Sequence, residues 1–318
     1  MQDYYIALII STVICLCSGP VVIPLLRRLK FRQFIRACGP ATHLGKSGTP
    51  TMGGVMFFLS IGLGTILAAP RDSSVVYALL VTYGFGLIGF FDDFIKVVMK
   101  RPLGLTAREK IIAQILLAGV FAYVVVVYGG IGTEVTIPGT SWSWQLGWVY
   151  IPFVTFLMVS AGNAVNLTDG LDGLAAGVTL FTALAYIFIT KALGFPHLSV
   201  FSAALLGTCL GFLFFNMYPA RLFMGDTGSL ALGAAVGALA VLTKTELLLP
   251  VLGGVYVLET LSVIIQVTYF KLTGGKRFFR MSPLHHHFEL MGRSEQWVVV
   301  LFWTLAAIFA SLAVIIII

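Results

Sequence analysis

The chain has 318 residues, of which 58% are hydrophobic and only 10% charged, and its mean hydropathy is +0.98. A soluble domain carries about 25% charged residues, so this composition excludes an ordinary soluble protein and predicts a polytopic membrane protein. The formal charge of +7 reads as a topology signal rather than as a nucleic-acid footprint, and no nucleic-acid partner is expected.

Apolar runs predict helical spans near 4–26, 53–69, 75–91, 111–128, 148–165, 173–190, 199–215, 229–243, 247–270 and 295–318. Ten crossings at about 20 residues each leave no room for a soluble domain of ordinary size, so a single all-α integral-membrane domain over 1–318 is expected. A transmembrane β-barrel would need short alternating segments, whereas Val120 to Tyr128 and Leu305 to Ile318 are nearly continuous apolar runs. No Lys or Arg precedes Arg27, so the basic start of a secretory signal is missing and the first span is expected to be retained. Cys15, Cys17, Cys38 and Cys209 show no metal-ligand spacing and are expected to be reduced. Segment 129–147 alternates Val135, Ile137, Trp142 and Trp144 with polar residues around Pro138-Gly139, which predicts a small interfacial hairpin that anchors the chain.

If the connections alternate sides, 27–52, 92–110, 166–172, 216–228 and 271–294 share one side and carry 17 of the 20 basic residues. The other side, with 70–74, 129–147, 191–198 and the turn at Lys244, carries only Arg71, Lys191 and Lys244. The positive-inside rule makes the first set cytoplasmic and puts both termini outside. Asp92, Asp93, Glu109, Asp169, Asp172, Asp226, Glu289 and Glu295 then lie at or near cytoplasmic helix ends, and Asp3, Asp72, Glu134 and Glu246 outside. Glu259 alone sits well inside a span, with no relay of further acids to suggest a transporter.

Three separate connections bring aspartates to the inner face: Phe91-Asp92-Asp93-Phe94-Ile95-Lys96, Asn166-Leu167-Thr168-Asp169-Gly170-Leu171-Asp172-Gly173 and Phe223-Met224-Gly225-Asp226-Thr227-Gly228. Any one of them could be a helix cap. Together they imply a counter-ion, since two carboxylates about 4 Å apart repel by roughly 4 kcal/mol at an effective dielectric near 20. Oxygen ligands beside phosphates suit Mg²⁺. Asp92 and Lys96 stand four apart, the order that favours an ion pair, and Asp93 points about 100° away from Asp92 on a helix. The spacing of Asp169 and Asp172 would put both on one helical face. The basic stretch Leu44 to Gly54, with Lys46 and Thr51, contains Gly-Lys-Ser but lacks the earlier glycine and the strand of a P-loop. Pro283-Leu284-His285-His286-His287-Phe288-Glu289 offers three adjacent imidazoles, which suit a phosphate or sugar better than one zinc ion.

In combination these stretches resemble the phospho-N-acetylmuramoyl-pentapeptide transferase family (MraY), within the polyprenyl-phosphate N-acetylhexosamine-1-phosphate transferases, and the likeness runs along nearly the whole chain. The resemblance implies transfer of phospho-MurNAc-pentapeptide from UDP-MurNAc-pentapeptide to undecaprenyl phosphate in the bacterial cytoplasmic (inner) membrane. The products are lipid I, a peptidoglycan precursor, and UMP, and Mg²⁺ is the implied cofactor. By that resemblance Asp226 is the metal ligand, and Asp92, with Asp93 and Lys96, serves the reaction. Lys46, Gly170, Leu171, Asp172 and Phe223 fall at the nucleotide pocket, Phe223 as its stacking ring, and Thr51 is a further substrate-binding residue. Asn166, Asp169 and Asn216 line the cleft, and His285, His286 and His287 form the C-terminal histidine site. Membrane lipids are the surrounding partner, and a homodimer is compatible with the resemblance. The alternatives are a sibling transferase using UDP-GlcNAc and, from another class, a membrane transporter.

Overall fold

The computed structural model describes residues 3–29, 31, 48–68, 72–99, 101 and 103–318. The helices are α1 (Asp3–Arg28), α2 (Val55–Ala68), α3 (Ser73–Val97), α4 (Ala107–Val127), α5 (Tyr150–Thr168), α6 (Leu174–Ala192), α7 (Pro196–Asn216), α8 (Gly225–Leu242), α9 (Leu249–Leu252), α10 (Gly254–Leu272), α11 (Leu284–Leu290) and α12 (Glu295–Ile317). The chain is an all-α polytopic membrane protein. Among the described residues nine helices are long and apolar enough to cross a bilayer, one fewer than the ten expected.

The shortfall has a local cause. The apolar run at 53–69 begins as a turn, with Gly53 and Gly54 donating their N–H groups to the carbonyls of Phe223 and Met224 at 2.8 and 2.9 Å. α2 starts only at Val55 and has 14 residues, fewer than the roughly 20 that a crossing takes. The span expected at 247–270 is interrupted at Gly253-Gly254, between α9 and α10, where two of the poorest helix formers adjoin. Other helices run longer than their apolar cores. α3 continues to Val97, so Asp92, Asp93 and Lys96 lie within its last turns, and α8 begins at Gly225, so Asp226 lies in its first turn rather than in a preceding loop.

Segment 129–147 contains the hairpin. Glu134–Thr136 (β1) pairs antiparallel with Ser143–Gln145 (β2), Val135 opposite Trp144. Val135 is buried while Trp142, Trp144 and Trp148 are exposed, an arrangement suited to an interfacial belt. Lys244 ties this hairpin to the bundle: its ammonium bonds the carbonyls of Gly132 and Glu134 and lies 4.0 Å over the Tyr150 ring.

α7 and α8 are the centre of the bundle, each 89% buried over its most apolar stretch, whereas α1 and α12 are 22% buried and form the periphery. α8 can be central because Gly225, Gly228, Gly233 and Gly237, with its alanines, let neighbouring backbones approach closely. At Gly89 of α3 a methyl group would come within 2.1 Å of the Asp226 carbonyl oxygen, so the two backbones touch there. The end of α3, the start of α4, the end of α5 and the start of α8 therefore meet at one end of the bundle, while the hairpin and the Lys244 turn lie at the other.

Candidate active site

Each long helix delivers its polar residues from a terminus. Asp92 and Lys96 are one turn apart on α3 and form the expected pair, Nζ to Oδ2 at 2.5 Å. Lys96 Nζ also lies 3.0 Å from Asp226 Oδ2. That oxygen receives a second ammonium, Lys110 Nζ of α4 at 2.6 Å, and Lys110 is 3.9 Å from Asp92 Oδ2. Asn166, in the last turns of α5, donates from Nδ2 to Asp226 Oδ1 at 2.9 Å and to Ser229 Oγ at 2.8 Å. Asp92 Oδ1 accepts the Leu105 N–H at 2.8 Å, which leaves the Asp92 carboxylate only 2% exposed.

Lys110 escaped the sequence reading. Its only signal, a Thr106-Ala107-Arg108-Glu109-Lys110 run at the start of a span, is also what a helix cap and a basic connection look like. Thr106 and Glu109 do form that cap, each side chain bonding the other's N–H, and Glu109 is structural.

Asp93 diverges from Asp92, as helical geometry requires, and its carboxylate bonds the first turn of α8. Its Oδ1 accepts the Asp226 N–H at 3.2 Å, and its Oδ2 accepts the Thr227 N–H at 2.9 Å and the Thr227 hydroxyl at 2.7 Å. A carboxylate on the free N–H groups at the start of α8 satisfies them and complements the helix dipole. Asp93 thereby fixes the first turn of α8 and with it Asp226.

The Asp169–Gly173 connection is not the helical face expected. α5 ends at Thr168, Asp169 has φ −78° and ψ 51°, and Gly173 has a left-handed φ of +80°. Asp169 and Asp172 therefore part. Burial, and then the negative charges of Asp226, Asp93 and Asp172, push the Asp169 carboxyl well above the usual carboxylate range. Asp172 is buried; its Oδ2 accepts the Ala220 N–H at 2.9 Å, and its own N–H donates to Glu295 at 2.8 Å. Asn216 is likewise buried, accepting from Gly173 N–H at 3.0 Å and donating to the Leu222 carbonyl at 2.9 Å. It braces two connections, and both ends of its amide are engaged. Leu171 is in the apolar core, so only its backbone is left for the pocket role implied for it.

Phe223 is half-buried, and its backbone bonds Pro50 on one side and Gly53 on the other. Thr51 is buried and bonds the Phe31 carbonyl. Lys46 lies outside the described residues.

The three histidines occupy the short helix α11 and face different neighbours. His285 is fully buried, with Nδ1 3.2 Å from Glu259 Oε2. His286 Nδ1 is 2.8 Å from Glu289 Oε2, and His287 Nδ1 accepts the Arg280 N–H at 3.2 Å. A methyl group on Gly170 would come within 2.2 Å of His285 Nε2, so the histidine loop lies against the Asp169–Gly173 turn. Among the described residues, the one group of three metal-capable side chains with converging donor atoms is Asp92, Asp93 and Asp226, whose oxygens lie within 4.8 Å of one another.

A family profile described as glycosyl transferase family 4 matches residues 75–244, and the phospho-N-acetylmuramoyl-pentapeptide-transferase signature 1 matches residues 46–58. The chain is 56% identical over 318 residues to the phospho-N-acetylmuramoyl-pentapeptide-transferase of Desulforamulus reducens, covering 97% of this chain and 95% of that one. It is 55% identical over 303 residues to the enzyme of that name from Moorella thermoacetica, with 95% of both chains covered. Against its counterpart in Bacillus subtilis it is 52% identical over 317 residues, covering 98% and 97%. Likeness of this extent, reaching from α1 to α12 through every connection that builds the carboxylate and lysine cluster, makes the chain a member of the phospho-N-acetylmuramoyl-pentapeptide transferase family.

Proposed function

We propose that this protein transfers phospho-MurNAc-pentapeptide from its UDP carrier to undecaprenyl phosphate, releasing UMP and forming lipid I, at the cytoplasmic face of a bacterial inner membrane. The observation that carries this reading is the convergence of Lys96 and Lys110 on Asp226 Oδ2, with Asp92 beside them, at the helix ends. A soluble nucleotide can meet a phosphate held at a membrane surface only at such a depth. Phosphoryl transfer needs positioning and charge neutralisation more than covalent chemistry by the protein, and two ammonium groups between buried carboxylates supply both.

In the step supported best, a phosphate oxygen of the lipid attacks the phosphorus that bears the sugar. The new P–O bond forms as the bond to the UMP oxygen breaks, and UMP leaves with that electron pair. Asp92 orients the attacking phosphate through Lys96, while Asn166 and Lys110 hold Asp226. The converging oxygens of Asp92, Asp93 and Asp226 form a hard donor set that fits Mg²⁺. Asp226 and Asp92 would hold the ion, with Asp93 fixing their geometry, and the ion would neutralise charge on the diphosphate. Phe223 and the Asp169–Gly173 turn are the proposed walls of the nucleotide pocket.

The test is UMP release by purified protein. It should require both polyprenyl phosphate and UDP-MurNAc-pentapeptide and cease when Mg²⁺ is chelated. Activity with UDP-GlcNAc in place of the muramoyl donor would assign the chain to the sibling reaction instead.

A further inference from the structure

A cavity of about 340 Å³, within the size range of small-ligand pockets, opens between the last turns of α10 and the connection that leads into α11. Gln266, Val267, Phe270 and Lys271 line it from the helix, and Arg277 and Ser282 from the connection. This is not the lipid-facing side of α10. Leu258, Leu261 and Ile265, spaced by three and four, form an exposed apolar stripe, and Ile265 and Val267 stand about 200° apart round the helix. The buried series Glu259, Ser262 and Gln266 runs on instead through Phe270 into the cavity wall. The nitrogen groups around the cavity are donors. Gln266 Oε1 accepts the N–H groups of Phe278 at 3.1 Å and Phe279 at 2.8 Å, which shapes the connection and leaves Nε2 without a partner among the described residues. Arg277 donates from Nη1 to the Arg280 carbonyl at 3.1 Å. Among the described residues neither Arg277 nor Lys271 forms an ion pair. An ammonium, a guanidinium and an amide NH₂ around one cavity select an anionic acceptor, and the planar guanidinium suits a carboxylate.

We propose that this cavity receives the terminal carboxylate of the donor's pentapeptide, with Arg277 and Lys271 as its charged partners and Val267 and Phe270 as the wall along which the peptide lies. This rests on the donor reading proposed above. Reach agrees with it. Ser282 is three positions from His285, at most about 11 Å along the chain, and His285 lies against Gly170 of the turn assigned to the nucleotide. Five peptide residues extend over as much as ~17 Å, so a donor whose nucleotide sits at that turn can place its peptide end between α10 and the connection. A phospholipid head group would bring similar charge, but the cavity is turned away from the stripe of α10 that meets the lipid.

Kinetics with two donors test the assignment: UDP-MurNAc-pentapeptide, and the same compound with its terminal carboxylate converted to a carboxamide. For the unmutated protein the amide should raise KM about tenfold while kcat changes far less. Arg277→Gln and Lys271→Gln should each raise KM for the acid and leave KM for the amide at the wild-type value, so that the amide reports on folding of the variants. Wild-type kinetics indifferent to the amide would overturn this inference alone. So would variants that shift KM for both donors equally or for neither. The assays are run in phosphatidylcholine vesicles with and without phosphatidylglycerol. A change in the variants that arises only with phosphatidylglycerol, and equally for both donors, would give the cavity to an anionic phospholipid and overturn the assignment. Absence of UMP release by the unmutated protein with either donor would instead refute the proposed reaction, and this inference with it.

Discussion

Lys110 Nζ stands 2.6 Å from Asp226 Oδ2, the oxygen that Lys96 Nζ approaches at 3.0 Å. Two ammonium groups on one carboxylate oxygen offset the charges of Asp226 and Asp92, and the positive charge of Lys110 helps the site accept a diphosphate. Replacing Lys110 by Gln keeps a donor but removes that charge. Turnover should fall at least ~10-fold, about 1.4 kcal/mol of transition-state stabilisation, with the protein still monodisperse in detergent. Wild-type UMP release by Lys110→Gln would remove Lys110 from the machinery.

Asp226→Asn should be more severe, because the amide retains the Asn166 contact in shape but not the charge on which both lysines converge. A loss of at least ~100-fold in turnover is expected, about 2.7 kcal/mol. Titrating Mg²⁺ checks the ligand assignment: near-normal activity at low Mg²⁺ would pass the metal role to another aspartate.

Asp92→Asn separates two chemical routes. If Asp92 serves the lipid phosphate, binding of UDP-MurNAc-pentapeptide should persist in the variant while turnover collapses. A covalent route through an aspartyl phosphate makes a different forecast for the wild-type enzyme: stoichiometric UMP release without lipid and a phospho-sugar adduct in the intact mass. Rapid quench decides between them.

Membrane orientation can be read by labelling single cysteines in a chain whose own cysteines are replaced by alanine. Ser141→Cys in the hairpin and Ser73→Cys at the start of α3 occupy exposed positions and should react in intact cells. Lys276→Cys, also exposed, should react only after permeabilisation. The opposite pattern would put the lysine cluster on the wrong side for a cytosolic nucleotide.

At the other end of the bundle, burial is the main cause that raises the Glu246 carboxyl above its usual range. The side chain is 1% exposed, accepts the Tyr150 hydroxyl on Oε1, and has no hydrogen-bond partner on Oε2. Between the ordinary glutamate value near 4.3 and this raised value, the folded state binds a proton that the unfolded state has released. Stability from this group therefore falls as pH rises through that window, and is greatest below it. Thermal unfolding of the detergent-solubilised protein against pH should show the decline, and Glu246→Gln should flatten it; an equal slope in the variant would assign the decline elsewhere.

Much of the site was legible because helical arithmetic is local. The interval of four between Asp92 and Lys96 predicted their ion pair, and the roughly 100° step to Asp93 predicted that the two aspartates have different partners. The gathering of the three aspartate motifs at one end followed from alternating connections. What could not be read depended on contacts between distant segments. Lys110 reaches Asp226 across 116 positions, and in the sequence it is one more basic residue beside a membrane span. Asp169 and Asp172 kept the right spacing for a helix, but α5 ends at Thr168 and the backbone leaves the helical region at Asp169, before Asp172 is reached. Glu259 could be flagged as an isolated acid in an apolar helix, but its partner lies 26 positions away in a loop whose path the apolar pattern does not record.

The contact between Gly89 and the Asp226 carbonyl, where a methyl group would stand 2.1 Å from the oxygen, has a consequence for how the protein tolerates genetic change. Alanine is ordinarily the mildest substitution in a helix, yet here it would push apart the two backbones that carry Asp92 and Asp226. Gly89→Ala would then behave as an active-site lesion although it alters no reactive group and leaves the helix apolar. Selection on catalysis thus extends into positions that look like inert membrane filling, and a survey of inactivating alleles should find them along the seam between α3 and α8 as well as among the charged residues at its end.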